Sequence, residues 1–395
     1  MKCFRFLPLA AMMVFFIISC GRSPVVIEGA GAAGSGTAGE AAAVISRPAW
    51  PGTTEEVLAC HAERLLSLMT LKEKCSQVLF MPLNGSSLPE EEAAVLRAFK
   101  PGGIILFKFN IPATLKKVKL FTAAVSTAVS AEGVHVAPFI AVDHEGGIVQ
   151  RFRDLITILP PPSGAAETMT PEEARTLYLS SAGELKDAGI SMNLGPVLEP
   201  LTAETGKLLA GRSFSADPDI AAAYGGVFIA AMNGKGVLAV AKHFPGSGGA
   251  DPHALSSVID IGAEEFASLV YPFREAVEKY GLRGVMMSHA YVDGVPALMS
   301  AGLIEGMLRK DMRFTGLVIS DDLIMSGLSK SYSMEDAVVM AVAAGCDMVI
   351  YSGGRPAALR DSLFKAVQEG RLPLPRLNQA VRRILIEKLR LQAAG

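Results

Sequence analysis

Charge of one sign is what this 395-residue chain lacks most plainly: 37 Lys and Arg stand against 39 Asp and Glu, a formal balance of −2. A nucleic-acid binder that relies on a basic surface is thereby excluded. Cysteine is scarce, and five Cys in such a length do not make a disulfide framework. Glycine (39) and proline (23) are near average usage, which rules out collagen and low-complexity polymers. Half of the residues are hydrophobic, so the chain is not a disordered one. Several catalytic signatures are missing. No G-x-G-x-x-G follows an early apolar run and no P-loop occurs, which speaks against nucleotide binding. There is no H-E-x-x-H and no Cys/His pairing at zinc spacing, so neither metal nor cofactor is expected. The absence of G-x-S-x-G removes the local mark of a serine hydrolase.

The first 48 residues read as an address and a tether. Lys2 and Arg5 precede an apolar stretch over 7–18, too short to span a bilayer comfortably, which is the pattern of a signal peptide over 1–20. Its end, Ile17-Ile18-Ser19-Cys20-Gly21, resembles a bacterial lipobox, with Ile17 where Leu is preferred. That resemblance implies cleavage before Cys20 and a lipid on its thiol, hence an exported protein anchored at a bacterial membrane on its periplasmic or cell-surface face. Ordinary secretion and an uncleaved anchor are the alternatives. Residues 21–48, rich in Gly and Ala without periodicity, form a flexible linker.

The remainder, 49–395, alternates short apolar runs with amphipathic stretches. Runs at 78–81, 103–107, 139–142, 191–194, 237–241, 284–287, 317–320 and 348–351 are bounded by Gly, Pro or charge, as buried parallel strands are. Between them the pattern predicts helices, among them 171–187 capped by Thr170, 217–233, 263–279 and 334–344 capped by Ser333, with 374–392 as a closing helix. Eight strands separated by helices predict an α/β fold, a single (β/α)8 TIM-type barrel with no second domain; the competing architecture is a doubly wound open sheet.

In such a barrel chemistry gathers where strands end. Here those ends are unusually polar. The third run leads into Asp143-His144-Glu145-Gly146-Gly147 and on to Arg151; the fourth into an excursion holding Arg212. The fifth leads into Lys242-His243-Phe244-Pro245-Gly246 and on to Asp251-Pro252-His253; the sixth ends in His289, the seventh in Asp321-Asp322. Any one of these has an ordinary structural explanation, since an Asp after a strand is more often a helix cap than a catalyst. Adjacent Asp residues suggest two roles, because consecutive side chains face opposite ways. Four of the six His, at 144, 243, 253 and 289, fall in these segments. Acid/base chemistry with a carboxylate nucleophile is what remains: Asp321 could attack an anomeric carbon, Asp251 and His253 could form a dyad, and Asp143, Arg151, Arg212 and Lys242 could hold a hydroxyl-rich ligand.

These residues resemble glycoside hydrolase family 3, in particular its peptidoglycan-recycling β-N-acetylglucosaminidase (β-hexosaminidase) branch, over roughly 60–390. Four segments carry the likeness: D-x-E-G-G-x-V-Q-R from Asp143 to Arg151, G-R-S-F around Arg212, K-H-F-P-G from Lys242 followed by Asp251-x-His253, and the stretch from Met307 to Asp321. The resemblance implies a retaining exo-glycosidase that removes terminal β-linked N-acetylglucosamine from peptidoglycan fragments or related amino-sugar glycans. It implies Asp321 as nucleophile, His253 as acid/base assisted by Asp251, and Asp143, Arg151, Arg212, Lys242 and His243 on the sugar. The chain departs from the branch at Ser247, where a second His is usual and a weaker loop anchor or substrate contact is expected, and at Pro252, His144 and Ile148. The usual recycling enzyme of the branch is cytosolic, whereas this chain carries an export signal. Rival readings are a β-glucosidase-type enzyme of the same family, a glycosyl phosphorylase, and a catalytically weak carbohydrate-binding lipoprotein. The oligomeric state is left open.

Overall fold

The computed structural model describes residues 55–131, 133–134, 136–152, 154–249, 257–354 and 356–393. Eight strands among them form one parallel sheet: β1 (Leu79–Pro82), β2 (Gly103–Leu106), β3 (Phe139–Val142), β4 (Met192–Asn193), β5 (Leu238–Phe244), β6 (Gly284–Met287), β7 (Leu317–Ser320) and β8 (Val349–Ile350). Their order is β7-β6-β5-β4-β3-β2-β1-β8. Leu79 lies opposite Val349, and a parallel bridge between Ile319 and Met348 brings β7 to β8, so the sheet closes on itself. The expected α/β barrel is the observed architecture, and each apolar run of the sequence holds one of its strands.

Burial explains why those runs are legible. Every residue of β2, β3, β6 and β7 is buried, because side chains inside the barrel pack on one another and those outside pack under helices. Helix starts follow their caps. Thr170 and Glu173 form a reciprocal capping box at the head of helix Pro171–Asp187, and Ser333 accepts from Asp336 N at the head of helix Met334–Ala344. Asp217 caps helix Pro218–Gly234 from outside it, so that helix begins one residue later than its pattern suggests. Strand β5 runs on through Lys242 and His243 to Phe244, which pairs with Met287 after a register shift. The strand therefore carries both polar residues up to the barrel mouth.

The opposite end of the barrel is tied by one carboxylate. Asp347, with no side-chain exposure, accepts from Arg309 at 2.6 Å and from Arg376 and Arg383 at 3.0 Å each. It also takes Val318 N at 3.1 Å, joining the starts of β7 and β8 to helix Leu374–Ala393. Burial favours its neutral form, but the three guanidinium groups outweigh that and hold the carboxyl below its ordinary range. Asp347→Ala leaves three largely buried cations without their anion. It is expected to cost about 3–5 kcal/mol of stability, read as a lower denaturant midpoint; an unchanged midpoint would contradict this role.

Candidate active site

The C-terminal ends of the strands open into a cavity of about 460 Å³. The first wall of that cavity is a hairpin that follows β3, in which His144–Gly146 pairs antiparallel with Val149–Gln150. It turns through Gly146 and Gly147, both at positive φ. A Cβ on Gly146 would stand 2.5 Å from the Pro160 carbonyl oxygen, so only glycine fits. Alternation along the segment sends Asp143 and Glu145 to the cavity and His144 away from it. His144 is fully buried beside Phe152, and among the described residues neither ring nitrogen has a hydrogen-bond partner. Burial, aided by Arg151, pushes its pKa down to about 4, so the ring is neutral.

An ionic lattice fills the floor. Lys242 Nζ lies 2.8 Å from Asp143 Oδ1 and 2.6 Å from Glu145 Oε1. Arg212 donates to both oxygens of Glu145 at 2.8 Å, the bidentate fork that guanidinium groups make with carboxylates. Arg151 reaches Asp143 Oδ2 at 3.2 Å. Burial opposes the charges of Asp143, Glu145, Arg212 and Lys242, and the partners reverse it. Lys242 and Arg151 overcome burial to hold Asp143 at about 2. Lys242 and Arg212 keep Glu145 below its ordinary range. The two carboxylates in turn raise Lys242 despite its burial. Asp143, Glu145, Arg212 and Lys242 are therefore ionised near neutrality, with fixed hydrogen-bond directions around the cavity.

Two further clusters adjoin these residues. Glu199, almost fully buried, faces His243 Nδ1 at 2.7 Å and accepts from Ser247 N and Ser247 Oγ at 2.6 Å each. Both the backbone N–H and the hydroxyl of Ser247 are thus bound to Glu199. Asp321 and Asp322 both line the cavity, although alternation predicts opposite directions for them, and they differ in their hydrogen bonds. Asp322 Oδ1 accepts from Ile324 N at 3.3 Å and Ser352 N at 3.1 Å, which fixes the chain after β7. Asp322 N donates to Asp321 Oδ1 at 2.8 Å. Among the described residues that is the hydrogen bond Asp321 makes with its side chain, and its other oxygen is uncommitted. His289 Nε2 donates to the Asp322 carbonyl at 2.9 Å, and burial lowers its pKa against the pull of Asp321.

Six of the sequence-predicted residues thus line one cavity: Asp143, Arg151, Arg212, Lys242, His243 and Asp321. Asp251, His253 and Cys20 lie outside the described residues. Sequence reasoning passed over Glu145 and Glu199 as site residues. Glu145 had a signal, since two cations at strand ends need more than one carboxylate between them. Glu199 had none beyond following an apolar run.

A closed barrel with carboxylates and cations converging at its strand ends defines a site for a polar, hydroxyl-bearing ligand, in the position where barrel enzymes work. The chain belongs to glycosyl hydrolase family 3, whose N-terminal domain it matches over residues 70–386. It is 33% identical over 284 residues to a protein of Shewanella frigidimarina named β-hexosaminidase, covering 69% of this chain and 81% of that one. It is 36% identical over 289 residues to a β-hexosaminidase of Thiobacillus denitrificans, covering 69% and 77%. The fold is also similar to a family 3 β-N-acetylglucosaminidase of Paenibacillus sp., with TM-score 0.78 and 30% identity; the match covers 83% of this chain and 64% of that protein's length.

Proposed function

We propose that this chain is a retaining β-N-acetylhexosaminidase that removes terminal, non-reducing β-linked N-acetylglucosamine from peptidoglycan fragments or related amino-sugar glycans. The relatives named above support the reaction. The observation that carries it is Asp321: one oxygen is held by Asp322 N and the other faces a cavity whose far wall is the Asp143–Lys242–Glu145–Arg212 lattice.

In this reading the lattice, with Arg151 and His243, grips the hydroxyls of the sugar. Asp321 attacks the anomeric carbon as the bond to the leaving oxygen breaks, giving a glycosyl ester. His253, made more basic by Asp251, protonates the departing oxygen. The neutral ring then takes a proton from water, and that water cleaves the ester with net retention. Residues 1–20 are a signal peptide, Cys20 carries a lipid, and 21–48 hold the barrel off a bacterial membrane, where exported glycan fragments would reach it.

An aryl glycoside panel tests the reaction. The N-acetyl-β-glucosaminide is expected to be cleaved well above the β-glucoside, without phosphate, and with the β-anomer released first. Cleavage of the glucoside alone, dependence on phosphate, or an α-product overturns the reading. Fatty-acid labelling of the intact protein, lost in Cys20→Ala, tests the anchor; equal labelling of the variant overturns it.

A further inference from the structure

The rim of the barrel carries an unusual surface on the β8, β1 and β2 side. Phe107 precedes a short turn, Lys108–Asn110, that contains Phe109, and the two rings stack with centroids 5.8 Å apart and planes 14° from parallel. Phe109 is 62% exposed, so a large apolar ring stands in water at the edge of the cavity. The turn is firmly fixed. Asn110, fully buried, accepts from Phe107 N at 2.9 Å and donates to Leu83 O and Gly85 O at 2.9 Å each. That bolts the turn to the segment after β1. Below the rings runs a groove of about 400 Å³ lined by Pro82, Leu83, Asn84, Phe107, Phe109 and Ser352. Phe107 and Ser352 also line the main cavity, so the two spaces are continuous.

We infer that this groove is a subsite for the leaving-group side of the substrate, and that its occupant is a second pyranose ring. The inference rests on the glycosidase reading given above. A pyranose has an apolar C–H face and hydroxyl edges. The groove offers both kinds of lining, the rings of Phe107 and Phe109 and the polar side chains of Asn84 and Ser352. Position fixes which ring enters it. The ionic lattice that grips the first sugar comes from the ends of β3, β4 and β5, on the other arc of the mouth. Asp321 ends β7, next to β8 in the barrel, and Asp322 is hydrogen-bonded to Ser352 N. A group leaving the anomeric carbon beside Asp321 therefore passes over Ser352 into the groove. Since the turn is already ordered, stacking there costs little further loss of freedom.

The test compares two substrates: a β-1,4-linked disaccharide of N-acetylglucosamine and methyl N-acetyl-β-glucosaminide. In Phe109→Ala the ratio of kcat/KM for the disaccharide to that for the methyl glycoside is expected to fall about threefold to tenfold, the size of one aromatic stacking contact. The loss lies mainly in KM, and Phe109→Trp retains the wild-type ratio. Thermal midpoints of all three proteins should agree, since the ring is exposed. An unchanged ratio in Phe109→Ala, with active wild type, overturns the subsite alone. Wild type that cleaves neither substrate overturns the glycosidase reading and the subsite with it.

Discussion

Asp321→Ala is expected to lose turnover by roughly 10⁴–10⁶-fold, as enzymes stripped of a nucleophile do, and to lose it equally on activated and unactivated substrates. Among the described residues lining the cavity, the other carboxylates are already engaged. Asp322 Oδ1 is held by two backbone donors, Ile324 N and Ser352 N. Asp143 and Glu145 are locked between Lys242, Arg151 and Arg212. None of the three can swing to an anomeric carbon without leaving a buried cation or two backbone donors unpaired. Steady-state kinetics on an aryl and an alkyl N-acetyl-β-glucosaminide read the result. Activity within tenfold of wild type would remove Asp321 from the nucleophile's role.

His253→Ala should divide the two substrates instead. A positioned acid contributes about 10²–10⁴-fold when the leaving oxygen needs a proton. The alkyl glycoside is expected to lose that much in kcat/KM, and the activated aryl glycoside far less, because its phenolate departs unaided. A histidine titrates ordinarily near 6.5, and a neighbouring carboxylate raises that value, so one ring can give and take a proton near neutrality. His243, by contrast, has its Nδ1 engaged by Glu199 at 2.7 Å. Equal losses on both substrates would contradict the acid role.

The barrel was legible because its strands are buried on both faces, and such strands appear as unbroken apolar runs between turn residues. Where the reading ran short, the cause is local. Only Met192–Asn193 pairs in the fourth run, and Asn193 spends its side chain on both backbone groups of His144 instead of on the sheet. Strand β5 outruns its apolar pattern because Lys242 and His243 are accommodated by buried carboxylates, which hydropathy cannot reveal. The site was legible wherever a charged residue interrupts an apolar strand end. Grouping His144 with the other strand-end histidines was misleading, because a period of two places it behind the hairpin that carries Asp143 and Glu145. Glu199 reaches His243 and Ser247 across 44 and 48 residues, a relation only folding creates.

The central claim is a covalent bond between sugar and Asp321, and trapping it is the direct test. The protein is incubated with a fluorinated N-acetylglucosaminyl substrate whose ester is slow to hydrolyse, then digested and examined by mass spectrometry. The expected outcome is one glycosyl adduct per chain, on the peptide that contains Asp321, and none in Asp321→Ala. An adduct on a different carboxylate, or turnover to the α-anomer with no adduct at all, would contradict the account.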